Sequence, residues 1–216
     1  MASYFAVTCT VYYRNRPPAV IRTEVTLTLD KEDSGREIMD ASEIDRLVAQ
    51  YNRNLPEDRE VEARLSKSIR GNRFVTLKEL KEIIEWKFQG DGQKLPRLRR
   101  LLKDANDDHI RELSGTALSR ESALSDLARA KILDQLPTVG PKVASVILTF
   151  WDPQRFGVYD FHVWDALSAE HLVTGEHEET NEEYVEKYLP VLRKQASKFG
   201  RSVREVEKAY YWKDAG

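Results

Sequence analysis

The sequence predicts a mainly α-helical protein with a small β-hairpin at its N-terminus, on three observations. Strand-like alternation is confined to the first thirty or so residues. From about residue 40 onward, apolar residues recur at helical spacing between recognisable caps. Across the 216 residues, 32% are charged and 41% hydrophobic, an ordinary balance for a charge-rich helical surface over a sizeable core.

Residues 4–13 (YFAVTCTVYY) and 19–29 (AVIRTEVTLTL) are rich in Val, Thr, Ile and Tyr, and Arg14-Asn15-Arg16-Pro17-Pro18 between them reads as a turn. An isolated hairpin is marginal in water, so residues 1–35 are expected to be an appendage packed on a helical body over 36–216. Ser42 and Asp45 resemble a capping box for a helix to about Asn52, and Pro56 breaks it. A basic helix then runs to about Ile69, and Gly71-Asn72 reads as a turn. Thr76 and Glu79 form a second capping box, followed by Leu77, Leu80, Ile83, Ile84 and Phe88 at helical spacing. Gly90-Asp91-Gly92 ends that helix. Further helices are expected at about 95–104, 107–114 and 120–131, then at about 181–193 and 202–212. Tyr184, Tyr188, Leu192, Val206, Tyr210 and Tyr211 form the packing faces of the last two.

Several function classes are excluded at this level. Cys9 is the only cysteine, so a disulfide framework, a cysteine-rich zinc site and an iron–sulfur cluster are not expected. Cys9 itself reads as a small core residue. No metal site is expected, because His109, His171 and His177 lack ligand spacing with carboxylates. No apolar run is long enough to span a membrane, and the start lacks the basic segment of a secretory signal. The reading is an intracellular protein, in the cytoplasm or nucleoid, or in the nucleus of a eukaryote.

Net charge is only −2, but its distribution is uneven. From Arg64 to Lys103 there are 12 lysines and arginines against 4 acids, and from Asp165 to Glu186 there are 8 acids and no lysine or arginine. This predicts one face for a polyanion, with Arg97, Arg99, Arg100 and Lys103 along the phosphate backbone, and another face turned away. Arg70 and Arg73 flank a turn that could reach a duplex.

The stretch LPTVGPKVASVILTF (136–150) carries the most specific signal. A helix ending near Gln135 feeds a short hairpin, Pro137-Thr138-Val139-Gly140, and a new helix opens at Pro141. A tight turn at a helix start aims free backbone N–H groups outward, a site for phosphate oxygens. Lys142 at the first turn of an otherwise apolar helix goes against the usual charge preference there.

LPTVGPKVASVIL resembles the helix-hairpin-helix element of DNA repair proteins, L-P-G-V-G-x-K-x-A. FGVYDFHVWDAL (156–167) resembles the Gly/Pro-rich loop and aspartate of the endonuclease III superfamily of DNA glycosylases, whose V-D-x-H appears here as Tyr159-Asp160-Phe161-His162. The P-K-V-A run with Asp160, His162 and Trp164 is most similar to the 8-oxoguanine glycosylase branch. The likeness covers residues 126–167, with the hairpin element at 126–150 and the catalytic loop at 151–165. It departs from the family at Thr138, which replaces a glycine, and at Tyr159, where a smaller aliphatic is usual.

The resemblance implies a helix-hairpin-helix DNA glycosylase fold acting as a monomer on double-stranded DNA with a damaged base. It places Lys142 on the Schiff-base lysine of members that also nick the strand (AP lyases) and Asp160 on the essential aspartate. Asp160 would stabilise positive charge on the sugar as the base leaves, and Lys142 would attack C1′ as a neutral amine. His162 would support Asp160 or act as an acid toward the leaving base. Thr138, Val139, Gly140 and Pro141 would hold DNA backbone. Tyr159, Phe161, Trp164 and Trp86 are candidates for a pocket around a flipped base, with Trp86-Lys87 notable for joining an aromatic to a charge. No cofactor is expected, beyond room for a monovalent cation at the hairpin. Two alternatives stay open: a glycosylase without lyase activity, in which Asp160 activates water and Lys142 touches phosphate, and a non-catalytic DNA-tethering module.

Overall fold

The computed structural model describes residues 39–121 and 123–216, together with the backbone of two short strands near the N-terminus. The chain divides into two units, Met1–Ile38 and Met39–Gly216. In the first, β1 (Cys9–Val11) pairs antiparallel with β2 (Ala19–Ile21), Thr10 opposite Val20. The remainder of the two expected strands, the turn at 14–18 and the side chain of Cys9 lie outside the described residues.

The second unit is helical: α1 (Ala41–Asn54), α2 (Pro56–Asn72), α3 (Leu77–Lys87), α4 (Lys94–Leu101), α5 (Asp107–Ala117), α6 (Asp126–Leu133), α7 (Pro141–Trp151) and α8 (Phe161–Ala169). Next come α9 (Asn181–Glu183), a π-helical segment (Tyr184–Tyr188), α10 (Leu189–Phe199) and α11 (Val203–Ala215). The mainly α class follows.

α7 is the centre of this unit. Every residue from Val143 to Trp151 is buried, as a helix that is apolar on all sides requires. α2, α3 and α6 pack on it, while α11 packs on α1, α8 and α10. Local chemistry sets several ends. Thr76 and Glu79 make a reciprocal capping box for α3, Ser202 and Glu205 make one for α11, and Gly200 closes α10 in the left-handed region at φ 63°.

Three boundaries differ from the sequence reading. α1 is capped by Asp40, whose carboxylate accepts the Glu43 amide and the Ser42 hydroxyl, so Ser42 lies inside the helix. Gly71-Asn72 is the last turn of α2, and the chain reverses at Arg73 with φ 61°. The helix expected from about 120 starts at Asp126, where the Ser125 hydroxyl accepts the Ala128 amide.

The loop from α7 to α8 is tied down by hydrogen bonds from the helices around it. Tyr184 Oη donates to the Gly157 carbonyl (3.0 Å) and Tyr188 Oη to the Val158 carbonyl (2.6 Å), both from the π-helical segment. The Tyr159 amide donates to Ser145 Oγ on α7 (2.8 Å), and the Arg204 amide on α11 donates to the Pro153 carbonyl. Asp126 receives Arg155 of the loop at 2.5 Å and Arg193 of α10 at 2.7 Å. Gly157 is required here: a Cβ would stand 3.0 Å from Leu192 Cδ1, 3.2 Å from Glu207 Cβ and 3.3 Å from Val203 Cγ1. This loop delivers Asp160.

Candidate functional site

The hairpin before α7 forms without a glycine at its second position. Thr138 takes φ 67°, and its buried hydroxyl has no hydrogen-bond partner among the described residues. A β-branched residue in this region costs roughly 1–3 kcal/mol. Replacing Thr138 by glycine is therefore expected to stabilise the protein by about 1 kcal/mol, a rise of about 2–4 °C in thermal midpoint for a chain of this size, read by calorimetry. The Val139 amide donates to the Leu136 carbonyl, Pro141 occupies the first turn, and Gly140 caps α7 with extended backbone and no side chain. The first amides of α7 thus have no side-chain cap, the arrangement expected of an anion site.

Lys142 projects into a cleft of about 190 Å³ with Phe88, Lys94, Thr138, Gly140 and Glu179. Its Nζ lies 2.5 Å from Glu179 Oε1. Burial raises the Glu179 carboxyl, but the Lys142 hydrogen bond and charge outweigh it and hold the group below its ordinary range. Glu179 thus neutralises the hairpin lysine; if this cleft is an anion site, Glu179→Gln is expected to tighten binding of a polyanion such as duplex DNA by about 3- to 10-fold at low salt, with the gain shrinking as salt rises, measured by fluorescence anisotropy.

Asp160 caps α8. Its Oδ1 accepts the His162 amide at 3.0 Å and its Oδ2 lies 2.6 Å from Lys87 Nζ, at the end of α3. Both side chains are nearly buried, 7% exposed for Lys87 and 16% for Asp160. Burial pushes the Asp160 carboxyl up, but Lys87 and the His162 amide pull it further down, so it stays an anion. The pair lines a polar cleft of about 120 Å³ with Trp86, Asp58, Tyr211 and Arg204. Trp86, Asp58 and Gln89 also line a neighbouring cleft of about 460 Å³. Trp86 Nε1 is buried with no hydrogen-bond partner among the described residues.

The structure therefore does not join Lys142 to Asp160. Each holds a different partner and lines a different cleft. The lysine in contact with Asp160 is Lys87.

Beneath the Asp160 cleft lies a buried charge cluster. Arg204 donates to Glu62 Oε1 and Oε2 at 3.0 and 2.9 Å, to Glu207, and to Tyr51 Oη at 3.2 Å, and Lys208 Nζ sits 3.0 Å from Glu62. Burial works to raise the Glu62 carboxyl, but Arg204 and Lys208 bring it from the usual 4.5 to about 2. A depressed folded-state value stabilises the protein above the unfolded value and is lost as pH falls through the folded one. Stability should accordingly fall between about pH 4.5 and 2, and urea melts across that window should show a shallower slope for Glu62→Gln.

The remaining candidates separate clearly. Tyr159 is fully buried, donates to Glu183, and packs on His177, Tyr184 and Tyr188 at 4.8 to 5.3 Å. Trp164 is also buried, against His177. Both are core residues rather than the base-stacking surfaces expected, because the loop's anchoring to the π-helical segment turns Tyr159 inward. Trp86 lines the cleft edge, and Phe161, next to Asp160, is 48% exposed. His162 Nδ1 lies 2.7 Å from Asp214 Oδ2 and its ring packs on Phe161 and Tyr211. On α4, Arg97 and Arg100 are exposed, and Arg99 pairs with Glu85 at 3.0 Å. The acidic stretch 165–186 is not simply turned away: Glu179 meets Lys142, Glu182 meets Lys131 of α6, and Glu170 meets Lys213 of α11.

Among the described residues, no group of three His, Cys, Asp or Glu side chains is arranged to hold a metal ion, and no helix is long and apolar enough to cross a membrane. Comparison with protein-family models, curated proteins and solved structures gives no match.

Proposed function

We propose that the protein is a base-excision repair DNA glycosylase with a helix-hairpin-helix glycosylase fold, its first unit a small β-hairpin appendage. It removes a damaged base from duplex DNA and, where an amine reaches C1′, nicks the strand as an AP lyase. The observation that carries this reading is the ionised, nearly buried Asp160, held at the start of α8 in a polar cleft that Trp86 and Tyr211 also line, by a loop that leaves it little freedom. As the glycosidic bond lengthens, positive charge grows on C1′ and O4′. A fixed carboxylate stabilises that charge without reorganising.

The uncapped start of α7 and the exposed Arg97 and Arg100 would hold phosphates, which positions the duplex without reading its sequence. Lys142 belongs with these groups, since it lines the hairpin cleft and not the Asp160 cleft. Phe161, exposed and next to Asp160 in the chain, would touch an everted nucleotide. The separation of Lys142 from Asp160 also favours, as a second reading, a glycosylase in which Asp160 activates water.

The test is base release under single-turnover conditions from duplexes carrying 8-oxoguanine, uracil, thymine glycol or an alkylated base. Release from at least one lesion is expected. Salt-sensitive binding with no release from any of them would leave only the DNA-tethering role.

A further inference from the structure

Resting on the glycosylase reading above, we propose that Asp58 and Gln89 are a specificity-determining pair that reads the Watson–Crick edge of the everted base, and that the edge they accept is that of a guanine-type base. The cleft that holds Asp160 is small, about 120 Å³, while the neighbouring one, about 460 Å³, falls within the roughly 300–1,000 Å³ of ligand pockets. Asp58, Trp86 and Gln89 line both clefts. A base attached to a sugar at Asp160 would therefore lie against these three side chains.

Asp58 stands in the first turn of α2 and is 8% exposed. Its Oδ1 accepts Gln89 Nε2 at 2.7 Å, and its Oδ2 accepts no hydrogen bond among the described residues. Burial pushes the carboxyl up, and the Gln89 amide and Arg204 offset only part of that. A buried carboxylate short of donors gains from any N–H brought to it. The bond to Asp58 also fixes which way the Gln89 amide points, because only its nitrogen can donate.

The pair thus offers three groups in a row. Oδ2 is an acceptor, Oδ1 is an acceptor with a second lone pair, and Gln89 Nε2 has a second N–H to donate. The edge of guanine runs donor, donor, acceptor, through its 2-amino group, N1–H and O6. The two rows complement each other group for group, as cytosine and guanine do in a duplex. Other bases fit worse. Hypoxanthine lacks the 2-amino donor, adenine turns a lone pair at N1 toward the carboxylate, and uracil and thymine flank one N–H with two carbonyls. Damage at N7 or C8 of a guanine lies on the opposite edge and leaves this row intact.

Trp86 supplies the surface beside the pair. Phe150 holds it edge-on at 5.2 Å, and the Arg204 guanidinium lies 5.7 Å from its ring centroid. Stacking on an aromatic ring is tolerant of sequence, since every base has a π-face. The indole would add affinity for any everted base, and the choice among bases falls to Asp58 and Gln89.

The experiment is single-turnover base release by the full chain from duplexes carrying 8-oxoguanine or 7-methylguanine, each set against its hypoxanthine counterpart, which lacks only the 2-amino group. Uracil and thymine glycol duplexes are run alongside. Wild type is expected to release at least one of the guanine forms about 10- to 100-fold faster than its counterpart, the discrimination of one two-pronged base contact. Asp58→Asn, which keeps the shape but replaces one acceptor by a donor, should bring the two rates within about 3-fold. Gln89→Leu, at an exposed position, should slow both members of the pair by about the same factor, because both carry O6. Melting temperatures of both variants should stay close to wild type, so that a change in the ratio reports recognition and not folding. Equal release from both members of each pair by wild type, an unchanged ratio in Asp58→Asn, or release confined to the pyrimidine lesions overturns the assignment and leaves the glycosylase reading intact. Release from no lesion at all removes the glycosylase reading and this assignment with it.

Discussion

Under the proposed glycosylase function, asparagine in place of Asp160 should slow base release by about 100- to 1,000-fold while duplex affinity changes by less than about 3-fold. The magnitude is that of removing one preorganised electrostatic group from a transition state, about 2.7–4 kcal/mol. Asparagine is as good an N-cap as aspartate, so α8 keeps its His162 amide bond. What is lost is the negative charge. Lys87 is then left without its carboxylate in a nearly buried position, so some stability is lost as well. Scoring release per bound duplex, with circular dichroism to confirm the fold, separates the two effects. A binding module without chemistry predicts no difference between the proteins, because neither would release base.

Alanine in place of Arg204 should be the most damaging single change to stability, at about 3–5 kcal/mol. The guanidinium is buried and bonded to Glu62, Glu207 and Tyr51. Burial alone would pull its pKa down, but Glu207 and Glu62 hold it far above the ordinary range. Removing it strands Glu207 in the interior and leaves Glu62 with Lys208 alone, and that is where the cost arises. Neutralising the carboxylates in turn should recover part of the loss. Arg204→Met combined with Glu62→Gln and Glu207→Gln is expected to be more stable than Arg204→Met alone. Denaturant titration checks both statements. Because Arg204 also lines the Asp160 cleft, the proposed function further predicts lower base release even in the fraction that remains folded.

Helix ends governed by neighbouring residues were legible in the sequence. Thr76 with Glu79, the Pro141 start of α7 and the apolar run behind it all act over a single turn. Asp40 won the cap of α1 over Ser42 because an extended aspartate just outside a helix can take the Glu43 amide, and the sequence offers both groups. The partners of the candidate site were not legible. Lys87 and Asp160 are 73 positions apart, Lys142 and Glu179 37, and Arg204 and Glu62 142. Such pairs are set by how helices pack, and no local pattern encodes them. Tyr159 shows the same limit. A tyrosine beside the aspartate suits a pocket or a core equally, and only the hydroxyls of Tyr184 and Tyr188, gripping the preceding carbonyls, turn it inward.

The central claim is that the cleft shared by Asp160, Lys87 and Trp86 receives a deoxyribose turned out of the duplex. A crystal structure of the protein with a duplex bearing a tetrahydrofuran abasic analogue tests it most directly. The account predicts the analogue ring within about 4 Å of the Asp160 carboxylate, with flanking phosphates on the start of α7, since reacting groups must stand at near-contact distance. A ring resting in the Lys142–Glu179 cleft, or a duplex bound on another face with its sugars stacked in line, would contradict it.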